Sequence, residues 1–153
     1  MITDDDRVLI VDDEPAIAHV IQEFLRGQLP RVDVSVDGRE ALKKIDQQAY
    51  NAVITDLRLG PVDGLEILRE AKRKDPCCEI IIITAFASLD SSIEALRGKV
   101  FDYLEKPINL ERLGISLQNA LRKNRLAIEH AGLVERLNRQ NEDLEHQVEE
   151  ATR

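Results

Sequence analysis

The chain has no tryptophan, and its aromatics amount to Phe24, Phe86, Phe101, Tyr50 and Tyr103. Single-stranded nucleic acid needs a row of stacking side chains, and these five do not supply one. Cysteine is nearly absent. Cys77 and Cys78 are adjacent; neighbours in sequence close no useful loop, and no other Cys or nearby His completes a metal set, which excludes disulfide stapling and a thiolate metal site. Long apolar runs are missing: the longest uncharged stretch, Ile80–Leu89, has ten residues, against the ~20 that a membrane helix needs. The first residues, Met1-Ile2-Thr3-Asp4-Asp5-Asp6, are acidic and lack an apolar h-region. Positive charge is in deficit, with 21 Lys and Arg against 29 Asp and Glu and a net charge of −8. Such a surface repels phosphate backbones and anionic lipid, so neither nucleic acid nor a membrane is expected as an unaided partner. A soluble, cytoplasmic protein is the expectation.

What is present suffices for one ordinary domain and an appendage. A chain of 153 residues buries roughly 68–70% of its unfolded surface, so a core needs no covalent help. Five short apolar runs recur: Val8–Val11, Val32–Val36, Ala52–Ile54, Ile80–Ile83 and Phe101–Leu104. Uninterrupted β-branched runs such as the first and fourth suit strands covered on both faces, whereas the second alternates and belongs at an edge. Helix signals separate the runs. Pro15 suits a first helical position, followed by Ile17, Val20, Ile21, Phe24 and Leu25 at helical spacing. Asp37 with Glu40, Asp63 with Glu66, and Ser91 with Glu94 read as caps with an acid three positions on. A fifth helix should start near Asn109, after Pro107. Strict β-α alternation predicts an α/β fold, an open, doubly wound, five-stranded parallel sheet with helices on both faces.

Beyond residue 124 the strand signals stop. A heptad frame places Val134, Asn141 and Val148 at a, and Leu137, Leu144 and Ala151 at d; Asn at a fixes register and favours two strands. The leucines of residues 110–121 follow another phase, which predicts a stutter between Asn124 and Gly132. As a helix the last 28 residues would make a rod of about 42 Å. It would be a solvated single helix, a parallel dimeric coiled coil or a helix folded back on the domain; the coiled coil is preferred. This gives a domain over 1–124 and a coiled-coil linker helix over 125–153.

In an open parallel sheet, reactive groups collect at the carboxyl ends of the strands. The first run ends in Asp12-Asp13-Glu14, the third in Thr55-Asp56, the fourth in Thr84-Ala85, and the fifth leads to Glu105-Lys106-Pro107. Taken singly, each Asp is an ordinary loop or cap acid. Together, Asp12, Asp13 and Asp56 repel each other unless a cation offsets them, and Mg²⁺ suits such a site because it takes one or two carboxylates and keeps waters for an incoming phosphate. One carboxylate can then act as nucleophile toward a phosphoryl group. Asp56 is the candidate, with Asp13 as direct metal ligand, Asp12 acting partly through water, and Lys106 and Thr84 donating to phosphoryl oxygens. No Gly-rich phosphate loop exists, so ATP is not indicated. His19, His130 and His146 carry no kinase pattern.

These residues carry a resemblance. Val8–Pro15, Asp56 followed by Asp63-Gly64, Ile83-Thr84-Ala85 and Phe101–Pro107 resemble, in order and spacing over residues 5–124, the receiver domain of two-component response regulators. The resemblance implies a flavodoxin-like fold of strand order 2-1-3-4-5. It implies Mg²⁺-dependent transfer of phosphate from a histidine kinase to Asp56, with Mg²⁺ held by Asp13, Asp56, the backbone carbonyl of Arg58 and, assisting, Asp12. It implies a cis peptide before Pro107. It also implies a switch in which Thr84 and Tyr103 move and alter the face made by the fourth helix, fifth strand and fifth helix. The tail is similar to signalling helices that join receivers to output domains, so a C-terminal output domain, a parallel homodimer through 125–153, and no enzymatic activity beyond loss of the chain's own phosphate are expected. Two departures stand out. Leu59-Gly60-Pro61 replaces the usual Met-Pro, which puts the mobility of that loop in question, and Lys99-Val100 follow Gly98 where Gly-Ala is usual. Phe86, two residues after Thr84, is expected to hinder attacking water. Two rival readings are weaker. A haloacid-dehalogenase-type phosphohydrolase needs an Asp where Arg58 stands, and an unphosphorylated dimerisation scaffold leaves the acids without a purpose.

Overall fold

The computed structural model describes residues 5–85 and 99–151. The predicted fourth helix, with its Ser91–Glu94 cap, and Phe86 lie outside the described residues. Five strands, β1 (Arg7–Val11), β2 (Arg31–Ser35), β3 (Ala52–Asp56), β4 (Glu79–Thr84) and β5 (Asp102–Glu105), form one parallel sheet of order β2-β1-β3-β4-β5. The alternating strand is at the edge, as expected. The helices are α1 (Pro15–Arg26), α2 (Gly38–Gln47), α3 (Gly64–Lys74) and a C-terminal helix (Leu110–Ala151) of 42 residues.

Alternate strand residues feed two cores. Val8, Ile10, Ile54, Ile81, Ile83 and Leu104 pack with α1 and the C-terminal helix. Leu9, Val11, Val53, Ile80 and Ile82 pack with α2 and α3. The continuous Ile80–Ile83 run follows directly: both of its faces are covered, so every position is apolar. Helix starts obey local chemistry. Pro15 opens α1, whose N-cap Glu14 makes no side-chain cap bond. Asp63 accepts the Glu66 N–H, and Asp37 accepts that of Arg39. Glu40 does not complete a capping box with Asp37; its carboxylate lies 3.1 Å from Lys44 Nζ, one turn on. Asn109 Oδ1 accepts the Arg112 N–H and caps the C-terminal helix.

That helix is continuous through residues 124–132, the stretch in which the stutter was expected. It buries Leu113, Leu117, Ala120, Leu121 and Asn124 against the sheet. Asn124 is the anchor: its Nδ2 donates to Cys77 O at 2.7 Å and its Oδ1 accepts from Asn51 Nδ2 at 3.0 Å. Arg125 lies 3.5 Å from the buried Asp6 carboxylate. From Leu126 to Gln147 the side chains are exposed, apart from partial cover at Ala127 and Gly132. Among the described residues no helix is long and apolar enough to cross a membrane.

An unpaired buried polar group costs about 1–3 kcal/mol. Asn124→Ala strips partners from both Asn51 and Cys77 O, so it should lower the unfolding free energy by roughly 2–3 kcal/mol in urea titration, with Asn138→Ala on the exposed rod as the near-neutral comparison.

Candidate functional site

Because the strands are parallel, their carboxyl ends share one edge. Asp12 follows β1, Asp56 closes β3, Thr84 closes β4, and Lys106 follows β5. Backbone bonds fix these positions. The Asp12 N–H donates to Ser35 O (3.1 Å) and the Lys106 N–H to Thr84 O (2.9 Å). The Lys106–Pro107 bond is cis.

The side chains converge on Lys106. Its Nζ donates to Asp56 Oδ2 at 2.8 Å, lies 3.2 Å from Asp12 Oδ2 and reaches Glu14 Oε1 at 3.5 Å. The other oxygens are held by backbone: Asp12 Oδ1 accepts the Glu14 N–H at 2.9 Å, and Asp56 Oδ1 the Arg58 N–H at 3.1 Å. Asp12 is 2% and Asp56 7% exposed, while Asp13 is open to solvent. Asp12, Asp13 and Asp56 each present a carboxylate oxygen, all within 4.8 Å of one another. At such separations two like charges repel by roughly 3–4 kcal/mol at an effective dielectric near 20. One ammonium among these acids leaves an excess of negative charge, and buried carboxylate oxygens aimed at one point are the donor set of a hard divalent cation.

Protonation follows from burial and pairing. Burial raises the Asp12 carboxyl above the usual carboxylate range, against the lowering effect of the Glu14 N–H and of Lys106, and the Asp56 charge raises it further. Burial alone would depress the Lys106 ammonium, but its hydrogen bonds and charge pairing with Asp56 and Asp12 prevail and hold it above its ordinary value. Outside the site, burial pushes the Cys78 thiol up to about 12, which leaves it inert at neutral pH.

The residues expected at the site divide into two groups. Asp12, Asp13, Asp56 and Lys106 are brought together, and Arg58 meets Asp56 through its N–H. Thr84 is buried at the neighbouring strand end. Tyr103 is set apart, opposite Ile82 and packed half-buried with the α2–α3 core. Sequence reasoning missed two contributors. Glu14 is a further carboxylate on Lys106. Gly64 is a contact residue: a Cβ there would meet Asp56 O at 2.5 Å and Leu57 Cα at 2.9 Å, so only glycine lets the start of α3 close over the end of β3. The Asp63-Gly64 pair was the available signal. Leu59-Gly60-Pro61 has a structural basis as well, since Leu59 is buried and Gly60 takes φ +88° in the turn.

Comparison with known proteins gives a consistent result. The family model described as "Response regulator receiver domain" matches residues 8–118. The transcriptional regulatory protein ZraR of Klebsiella oxytoca is 36% identical over 120 residues, covering 78% of this chain and 27% of that protein. The chain thus spans about a quarter of that relative's length. A response regulator receiver domain protein from Clostridium thermocellum superposes with TM-score 0.72 at 30% identity, covering 80% of this chain and 98% of the other. The receiver domain of sensor histidine kinase PA1611 from Pseudomonas aeruginosa PAO1, solved with magnesium coordinated in its active-site cleft, does so with TM-score 0.67 at 32% identity, covering 76% and 97%.

The electrostatics carry a sign that can be checked. A lysine held above its ordinary value stabilises the fold at every pH below its unfolded value, and loses that contribution only as alkali titrates it. Asp12, held above the carboxylate range, opposes folding when ionised, and acid relieves it. Lys106→Met leaves both carboxylates without their ammonium. It should cost roughly 3 kcal/mol by urea unfolding at about pH 8, and the deficit should shrink toward about pH 5 as Asp12, held above the usual carboxylate range, takes up its proton.

Proposed function

Because the chain belongs to the response regulator receiver family, we propose that Asp56 is its phosphoacceptor in two-component signalling, with a histidine kinase as donor. The observation that carries this reading is the Asp56 carboxylate at the end of the central strand, held by the Arg58 N–H on one oxygen and the Lys106 ammonium on the other. An Asp56 oxygen attacks the phosphorus of a phosphohistidine, the P–N bond breaks, and the electron pair leaves with the imidazole. The product is an aspartyl phosphate. Lys106 then pairs with a phosphoryl oxygen, and Thr84 donates its hydroxyl to another.

The donor set fits Mg²⁺, which Asp13, Asp56, the Arg58 carbonyl and, assisting, Asp12 would hold; when bound it neutralises negative charge on the phosphoryl oxygens. Magnesium in the cleft of the PA1611 receiver supports this assignment. A receiver over residues 1–124 joined to a linker helix over 125–153 is supported by the end of burial near Asn124. We further propose that phosphorylation moves Thr84 and Tyr103 and alters the face around β5 and the start of the C-terminal helix. The helix hands that change to an output domain within a homodimer in the cytoplasm. The chain has no catalytic turnover beyond loss of its own phosphate. The net charge of −8 on these 153 residues disfavours both nucleic acid and an anionic membrane as unaided partners.

Acetyl phosphate supplies the test. With Mg²⁺ the protein should gain the mass of one phosphoryl group, and Asp56→Asn or chelation of the metal should abolish the gain. Lys106→Met should slow labelling by about 10²-fold, the scale of losing one charged donor to a developing phosphoryl charge. Labelling that persists in Asp56→Asn would overturn the assignment.

A further inference from the structure

The Lys106 ammonium carries three N–H donors, and the three carboxylates around it are not alike. Asp56 at 2.8 Å and Asp12 at 3.2 Å are buried partners, whereas the Glu14 side chain, at 3.5 Å, is 62% exposed. An exposed pair at that distance contributes little to stability, and two shorter partners already hold the ammonium. Nor does Glu14 serve its own helix. It is the N-cap residue of α1, yet its side chain makes no cap bond, and the residue that follows is Pro15, which has no N–H to offer. Neither anchoring nor capping accounts for this carboxylate.

Its position does. The Glu14 N–H donates to Asp12 Oδ1 at 2.9 Å, which fixes its backbone beside the cluster. Its carboxylate reaches the same nitrogen that holds the Asp56 oxygen. The oxygens that converge as a cation's donor set come from Asp12, Asp13 and Asp56, and Glu14 is not among them. A cation bound there offsets the charge of its ligands and leaves that of Glu14 in place, on the water side, one nitrogen away from the attacking oxygen. Small phosphodonors are anions. Coulomb energy is linear in charge, so a dianion approaching Glu14 is repelled twice as strongly as a monoanion at the same distance.

We infer that Glu14 is a specificity residue for the phosphodonor: its exposed carboxylate disfavours small, highly charged donors and leaves the site to a donor that also binds elsewhere on the domain. A protein donor gains contact area outside the cleft, which outweighs one repulsive charge beside it. A small molecule brings little besides its phosphoryl group. This rests on Asp56 as the phosphoacceptor and adds what selects the donor. The transfer is the same for either of two small donors. With acetyl phosphate, an Asp56 oxygen attacks phosphorus, the P–O bond breaks and the electron pair leaves with acetate. With phosphoramidate the P–N bond breaks, and the pair leaves on the already protonated nitrogen as ammonia.

The test compares these donors on the full chain with Mg²⁺ at about pH 7, where acetyl phosphate is doubly charged and phosphoramidate carries a single net charge. At an ionic strength of about 0.05 M, Glu14→Gln should raise the second-order rate constant of labelling about fivefold with acetyl phosphate. With phosphoramidate it should rise by the square root of that factor, about twofold. At about 1 M, where the screening length falls to about 3 Å, both gains should shrink toward none. Glu14→Asp, which keeps the charge, should keep the parent's donor preference. Rates unchanged in Glu14→Gln, or altered equally for both donors at low and high salt alike, overturn the inference. Labelling of the parent that survives Asp56→Asn overturns the phosphoacceptor reading instead.

Discussion

A parallel sheet buried on both faces confines polar chemistry to its two ends, and that constraint organises this molecule. Every strand that carries a site residue runs in the same direction, so residues dozens of positions apart in sequence arrive at one edge without any local motif bringing them there. At that edge the Lys106 ammonium joins acids contributed by β1 and β3. Without it, Asp12 and Asp56 would be buried charges with no counter-ion, a state that proteins escape by protonating or by taking up a metal. Pairing and deficit are both required: enough positive charge to fold the edge, and too little to neutralise it.

That deficit gives the edge its chemistry. Asp56 and Asp12 each commit one oxygen to a backbone N–H and present the other toward Lys106. Asp13, exposed beside them, adds an oxygen without the desolvation cost of burial. The cluster therefore combines two rigid ligands with an accessible one, which suits a cation that keeps part of its water shell and must admit a phosphoryl group.

Much of this was legible in the sequence because the relevant signals are local. The apolar runs gave the strands, and the alternation in Val32–Val36 gave the edge position of β2. Asp12, Asp56 and Lys106 could be placed together because each directly ends or follows a run. What was not legible depends on distances between elements. The contact of Gly64 with the Asp56 backbone exists only once α3 docks, and no periodicity reports it. The reach of Glu14 to Lys106 depends on how the turn before α1 opens. The failed reciprocity of Asp37 and Glu40 is a competition: Lys44, one turn along, takes the carboxylate that a capping box would need. The stutter was placed between Asn124 and Gly132, where the helix runs on unbroken; its docking at Asn124 was not legible, because the partners of that side chain lie far away in sequence.

Asn124 and Lys106 together define what the C-terminal helix can transmit. Only Pro107, Ile108 and Asn109 separate Lys106 from the first helical residue, Leu110, so the helix begins almost at the proposed phosphoryl site. Nearly two turns in, Ser116 Oγ donates to Asp102 Oδ2 at 2.8 Å and ties the helix to the first residue of β5. Asn124 then pins it at the opposite edge, beside the amino ends of β3 and β4. The helix thus runs across the sheet from near the charge cluster, held part-way by Ser116 and at the far edge by Asn124. A bare helix of this length would bend and absorb small displacements. Fastened at Ser116 and Asn124, and continuous beyond them, it is restrained from bending in that way. The polar anchor is suited to that work: an amide with two directed bonds resists rotation about the helix axis, which a leucine in the same socket would not.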